Sequence, residues 1–166
     1  QCFILDPEDY VKADNLGDII SVIHSHPLTP PTPSQADKVS CEAGGIPWYI
    51  VNPKTEQWAY LEPCGYKAPL LGRQWVWGIT DCWSLVRDWY KEEKNINLED
   101  YERPTTPQEF LDNPLFEQYA LQTGFRELKP DECLKTGDVL LMSIMYPTLN
   151  HVALFFEGDV IHHLTD

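Results

Sequence analysis

Basic residues are scarce. Lysine and arginine together number 12 against 26 aspartates and glutamates, a formal net charge of −14 over 166 residues. Nucleic-acid binding needs clustered cations to displace counterions from phosphate, and adsorption to an anionic membrane needs a basic patch. The composition therefore excludes both. The shortage is not local: residues 1–66 hold 9 acids and 3 bases, and residues 67–166 hold 17 and 9. No apolar run approaches the ~18 residues that a membrane-spanning helix requires. Nothing at the start reads as a basic segment followed by an apolar one, so no signal peptide is expected. The five cysteines, Cys2, Cys41, Cys64, Cys82 and Cys133, include no Cys-x-x-Cys pair. A zinc knuckle and a dithiol redox motif are thereby excluded, and free thiols of a reducing compartment are expected. Repeats and low-complexity tracts are absent as well. What is left is a globular composition, 43% hydrophobic and 23% charged, at a length suited to one domain or two small ones.

Fourteen prolines punctuate the chain. The densest group, Pro27-Leu-Thr-Pro30-Pro31-Thr-Pro33, reads as a stiff loop, because proline continues neither a helix nor a central ladder. Ahead of it, residues 18–26 form a β-branched run expected to be a buried strand. Behind it, Ser34 can cap a helix from Gln35 to about Ala43, stopped by Gly44-Gly45. Residues 47–51 and 57–61 read as strands joined by a turn at Asn52-Pro53-Lys54. Strand, helix and strand in that order predict an α/β unit over residues 1–62. From residue 63 a second domain is expected. Asp81 can cap an amphipathic helix to about Glu93, with apolar residues at Cys82, Leu85, Val86, Trp89 and Tyr90. Pro107 opens another helix. Residues 137–142, 151–156 and 160–164 read as strands, the last two joined at Glu157-Gly-Asp159. Helices followed by an antiparallel sheet predict an α+β domain over residues 63–166.

The first chemical constellation is His24-Ser-His26. On a strand, residues i and i+2 project from one face, so two imidazoles meet there. Asp37 follows, in the first turn of a helix opened at Ser34, and can point back at the strand end. Two histidines, one carboxylate and an open fourth position suit a catalytic zinc. The whole pattern His-Ser-His-Pro-(x)6-Ser-x-x-Asp over residues 24–37 resembles the motif of the JAMM metalloproteases. That resemblance implies Zn2+ held by His24, His26 and Asp37, with Ser34 helping to bind the oxyanion. The family's general base is a glutamate several tens of residues upstream of the histidine pair. Only 23 residues precede His24, and Glu8 falls where the family has a connecting segment. Glu8 is not assigned as the base, and the N-terminal part of this domain is expected upstream of residue 1.

The second constellation centres on Cys82. A thiol at a helix N-terminus feels the positive end of the dipole, which is expected to lower its pKa. His151, at the start of a strand, can serve as base. His162 or His163, across the following turn, can orient that imidazole. The series Gly78-x-x-Asp81-Cys82-x-Ser84, then Lys135-Thr-Gly-Asp-Val, then Asn150-His-Val-Ala, then Val160-Ile-His-His163 resembles the papain-like NlpC-type cysteine peptidases from about Trp75 to Leu164. The resemblance implies Cys82 as nucleophile and His151 as base. Its apolar-apolar-His pattern selects His162 as the orienting residue, whereas a spacing of twelve after His151 selects His163. Trp83 stands where many members have serine, and Trp75 or Trp77 where they have tyrosine. These indoles are expected to narrow the cleft.

A JAMM half followed by an NlpC-type half resembles the tail assembly proteins K of lambdoid and related tailed phages, over nearly the whole chain. This implies tail-tip assembly and digestion of peptidoglycan stem peptides, at the bond between D-glutamate and a diamino acid. The implied partners are peptidoglycan peptides and other phage tail-tip proteins, and the implied location is the host cytoplasm during assembly and then the virion tail tip. Two rival readings stay open. One is an assembly factor with one or both sites inactive. The other is a JAMM-driven maturation protease of tail proteins. Most of the aromatic residues, six tryptophans and eight tyrosines among them, are expected in the core. Cys41 is read as buried rather than metal-bound, and Glu92-Glu93 and Glu99-Asp100 as solvated.

Overall fold

The computed structural model describes residues 6–104, 106–113 and 115–164. The chain divides into two compact units, Gln1–Pro69 and Leu70–Asp166. The first is α/β and holds helix α1 (Pro7–Asp14), strand β1 (Val22–Ser25), helix α2 (Gln35–Gly44) and strands β2 (Trp48–Asn52) and β3 (Gln57–Leu61).

Helix α1 was not expected, because the segment shows little apolar periodicity. Its ends explain it. The Asp6 side chain accepts from the Glu8 N–H at 2.8 Å. Proline opens the first turn, Glu8 and Asp9 follow, and Lys12 sits in the last turn. Each of these favours a helix through capping and dipole rather than through a buried face.

Strand β1 pairs parallel with β2, and β2 pairs antiparallel with β3. Parallel neighbours need a crossover, which α2 supplies. Alternation splits the sheet into two faces. His24, Ile50 and Ala59 form one row, with Ile50 fully buried, while Ile23, Tyr49 and Tyr60 form the opposite row, facing solvent. The strand is shorter and less buried than expected: Ile20 and Ile23 are exposed, because β1 is an edge strand. Several aromatics expected in the core are also on the surface, Trp58 most of all.

Ser34 and Asp37 form a reciprocal cap on α2. The Asp37 N–H donates to Ser34 Oγ at 3.1 Å, and the Ser34 N–H donates to Asp37 Oδ2 at 2.7 Å. The helix ends at Gly45, whose φ of 64° is left-handed and suits glycine. Ser34→Ala is expected to destabilise this unit by about 1 kcal/mol, seen as a lower urea midpoint at unchanged m.

The second unit is α+β. It holds α3 (Cys82–Lys94), α4 (Pro107–Asp112), α5 (Leu115–Tyr119), β4 (Val139–Met142), β5 (His151–Phe156) and β6 (Asp159–His162). The short α5 was not expected. The three strands are antiparallel in the order β4-β5-β6. The central strand carries Val152, Ala153 and Leu154, all essentially inaccessible. Helix α3 buries Leu85, Val86 and Trp89, and a core cluster joins Cys82, Trp83 and Val86 to Val152. This packing sets the first turn of α3 against the start of β5. Gly137 must be glycine: its φ is 106°, and a Cβ there would sit 3.0 Å from the Trp89 ring. Strand β6 ends at His162, so His163 lies just beyond it rather than within it. Among the described residues no helix is long and apolar enough to cross a membrane.

Candidate active site and metal centre

In the first unit the sequence-predicted metal residues come together. His24 on β1 and His26, one residue past its end with its N–H donating to the Val51 carbonyl at 2.8 Å, meet, and Asp37 reaches them from the first turn of α2, held there by Ser34. The two Nε2 atoms are 3.2 Å apart. His24 Nε2 lies 3.3 Å from Asp37 Oδ1, and His26 Nε2 lies 3.4 Å from Asp37 Oδ2. A zinc ion with ligand bonds of about 2.0–2.1 Å holds tetrahedral ligand atoms about 3.3–3.4 Å from one another. The three observed separations match that spacing.

The tautomers support the same fit. His26 Nδ1 faces the Pro30 carbonyl at 3.3 Å. A carbonyl only accepts, so the neutral ring carries its proton on Nδ1. Its Nε2 lone pair is then turned towards an acceptor-only carboxylate, an arrangement that a cation would satisfy. Burial opposes the charge on Asp37, but hydrogen bonds from His24 and Ser34 outweigh it and hold its carboxyl below the usual range. Ser34 thus ties Asp37 twice over: its Oγ accepts the Asp37 N–H, and its hydroxyl and backbone N–H both hold the carboxylate. Glu8 is exposed on α1. Cys41 is buried, and its thiol donates to the Ile46 carbonyl at 3.4 Å.

In the second unit Cys82 is the first residue of α3. Its cap is built by the surrounding motif. Asp81 accepts from the Ser84 N–H at 2.9 Å and from the Gly78 N–H at 3.0 Å, and Ser84 Oγ donates to the Asp81 carbonyl at 2.8 Å. Gly78 has a φ of 74°, the conformation that lets its N–H turn back. The Val152 N–H donates to the Cys82 sulfur, so the residue after His151 is in direct contact with the thiol. His151 is 4% exposed, and its Nε2 has no hydrogen-bond partner among the described residues. The His162 ring meets it edge-on, centroids 5.5 Å apart. Alternation explains the pairing: His162 stands opposite Ala153, on the face that His151 shares. His163 turns elsewhere, and its ring hydrogen-bonds the backbone of Arg73 and Thr80. Of the two histidines, His162 therefore touches His151.

The electrostatics differ from the sequence expectation. The helix dipole was expected to lower the Cys82 pKa. Burial, with the Asp81 charge beside it, instead pushes the thiol up to about 12. Burial, aided by His162 and His163, pushes His151 down from 6.5 to about 4. The pair is thus neutral thiol and neutral imidazole. An imidazole held neutral favours the unfolded, chargeable form in acid. Stability contributed by neutral His151 is present above pH 6.5 and is lost as pH falls towards about 4. His151→Gln is expected to flatten the loss of thermal stability across that window.

Sequence reasoning passed over two residues here. Asn150 closes the loop ahead of β5, its side chain exchanging hydrogen bonds with the Ile144 N–H and carbonyl at 2.7 and 2.8 Å. Its place beside His151 is the only signal. Arg103 lies in a segment with no periodicity, and nothing in the sequence pairs it with Asp81. Beside Cys82 opens a cavity of about 780 Å³ whose lining includes Trp77, Trp83, Tyr101, Phe116 and Leu140. Of the indoles expected at the cleft, Trp83 and Trp77 line this cavity and Trp75 does not.

Comparison with known proteins agrees with both halves. The model of the NlpC/P60 family matches residues 72–166, and the model described as prokaryotic homologs of the JAB domain matches residues 6–61. The chain belongs to the NlpC/P60 family, with a JAB-type unit ahead of the cysteine unit. Over 98% of its length it is similar to the tail tip assembly protein K of Escherichia phage N15, 34% identical over 165 residues. It is likewise similar to the tail tip assembly protein K of Escherichia phage lambda, 30% identical over 168 residues. The chain spans 66% of the N15 protein and 78% of the lambda protein. No solved structure matches.

Proposed function

We propose that this chain is a phage tail-tip hydrolase whose second unit cleaves peptidoglycan stem peptides at the bond between D-glutamate and a diamino acid. The observation that carries the reading is the buried Cys82 at the head of α3, with the Val152 amide on its sulfur and the His151–His162 pair alongside. In this reading His151 accepts the thiol proton as the sulfur attacks the amide carbonyl. The imidazolium then protonates the leaving amine, and water releases the acyl group from Cys82. His162 holds the ring of His151 in place. The 780 Å³ cavity receives the substrate on the Cys82 side. Partners are peptidoglycan peptides and other tail-tip proteins, in the host cytoplasm during assembly and at the tail tip thereafter.

The first unit reads as a zinc peptidase. His24, His26 and Asp37 would hold Zn2+, which when bound supplies Lewis acidity for amide hydrolysis. Ser34 fixes Asp37, and in this reading its hydroxyl turns from that carboxylate to a developing oxyanion. The test of the main reading is a digest of purified muropeptides followed by mass spectrometry. Loss of stem-peptide species with new ends at the diamino acid is expected, and intact muropeptides would overturn the reading. A second reading, an assembly factor with a silent cysteine unit, is favoured by one observation: the thiol is held near 12 and the imidazole near 4. In that case tail assembly survives Cys82→Ala while no digest occurs with either protein.

A further inference from the structure

Arg103 makes a two-pronged contact with the residue that precedes the nucleophile. Its Nε donates to Asp81 Oδ2 at 3.0 Å and its Nη2 to Asp81 Oδ1 at 3.2 Å. Both side chains are buried, at 9% and 2% exposure. The remaining nitrogen, Nη1, is held by Asp100 and by the Tyr101 carbonyl. Asp100 in turn pairs with Arg87 of α3 at 2.8 Å, and the Trp83 indole donates to the Glu99 carbonyl at 3.1 Å. The 99–103 segment is thus pinned along α3 at several points and delivers one guanidinium to the helix cap.

A buried, ionised Asp81 next to Cys82 works against thiolate formation, since two negative charges would stand side by side in a poorly hydrated site. The same carboxylate is needed as the N-cap acceptor for Ser84 and Gly78. We propose that Arg103 is a positioning residue for Cys82: it fixes the Asp81 cap and offsets the Asp81 charge, so that the cap does not suppress the nucleophile. The proposal rests on Cys82 being the nucleophile of the reaction above. The charged groups acting on the thiol are Asp81 from its own cap and Arg103 from the pinned segment, with the Val152 amide of β5 on its sulfur. His163 and Arg103 face Asp81 itself.

The test is the rate of iodoacetamide alkylation of Cys82 between pH 7 and 10, followed on the peptide containing it. The peptide readout is needed because Cys41, Cys64 and Cys133 are also free thiols. Wild type is compared with Arg103→Gln, Arg103→Lys, Asp81→Asn and the Arg103→Gln/Asp81→Asn double variant. Arg103→Gln is expected to slow Cys82 alkylation roughly tenfold at a given pH, the effect of about one unit in the thiol pKa. Arg103→Lys keeps the charge and recovers most of the rate. Asp81→Asn keeps an N-cap oxygen, and in the double variant it restores the rate to the wild-type level or above. Mere loosening of the fold would expose the buried thiol and speed alkylation, the opposite sign. An Arg103→Gln rate equal to or above wild type overturns the proposal. So does a double variant as slow as Arg103→Gln. Because the assay needs no substrate, it reports on Arg103 even if muropeptides are left uncut.

Discussion

Cys82→Ala is expected to remove stem-peptide cleavage outright, by about 10⁴-fold or more, as the loss of a nucleophile does elsewhere. The fold should survive it. Cys82 sits against Trp83, Val86 and Val152 in a cluster that keeps its larger members, and removing one sulfur costs only about 1 kcal/mol. A far-ultraviolet spectrum and thermal melt close to wild type, together with an inactive muropeptide digest, is the expected pair of results. The pH dependence adds a second signature. With the thiol near 12 and the imidazole near 4, the proton rests on sulfur through the neutral range. That neutral pair is the form from which His151 takes the proton as sulfur attacks, so the cleavage rate is expected to stay flat between pH 6 and 9 and to fall only as His151 is protonated towards pH 4. Retained cleavage in Cys82→Ala would remove the thiol from the mechanism and leave the metal centre as the source of any activity.

Much of this site is legible without coordinates because its geometry is local. Alternation along β1, carried one residue past its end, brings His24 and His26 together. The spacing from Ser34 to Asp37 is the spacing of a helix cap, so the residue that would ligate metal and the residue that orients it arrive together. Cys82 follows an aspartate that caps its helix, and the hairpin turn brings His162 to the face of His151. What the sequence does not yield is whatever depends on environment or long separation. The choice between His162 and His163 turns on where β6 stops. The pKa of Cys82 turns on how deeply its helix end is buried, and burial outweighs a dipole effect that the position alone suggested. Arg103 meets Asp81 across 22 residues, through a segment whose path follows from side-chain tethers rather than from periodicity. Helix α1 shows the converse. Its caps were readable at Asp6, Pro7 and Lys12, but a search for an apolar stripe passes over a helix that buries little.

One zinc ion per chain is the expected content after dialysis against trace zinc, and His24→Ala or Asp37→Ala should bring it to background in elemental analysis. The reasoning is electrostatic. Two imidazole nitrogens and a carboxylate crowd within 4.8 Å of one another, and the Pro30 carbonyl commits the His26 proton to the far side of its ring. The His26 lone pair that then faces the Asp37 carboxylate is costly unless a cation lies between them. Binding only to the folded unit stabilises it by about 2.7 kcal/mol at a free zinc level 100 times Kd, so chelation should lower the melting temperature of wild type and leave Asp37→Ala unmoved. The affinity is expected to fall as the solution is acidified, because protons compete for the imidazoles while Asp37 stays ionised to lower pH than an ordinary aspartate. Ser34→Ala separates the two roles of the cap: the donors remain, but the Asp37 carboxylate loses part of its anchoring. Zinc should then bind more weakly by about 10- to 100-fold, the usual cost of removing a group that orients a ligand. A melting temperature indifferent to both zinc and chelator would mean that the three side chains are satisfied by their own hydrogen bonds and that the first unit holds no metal.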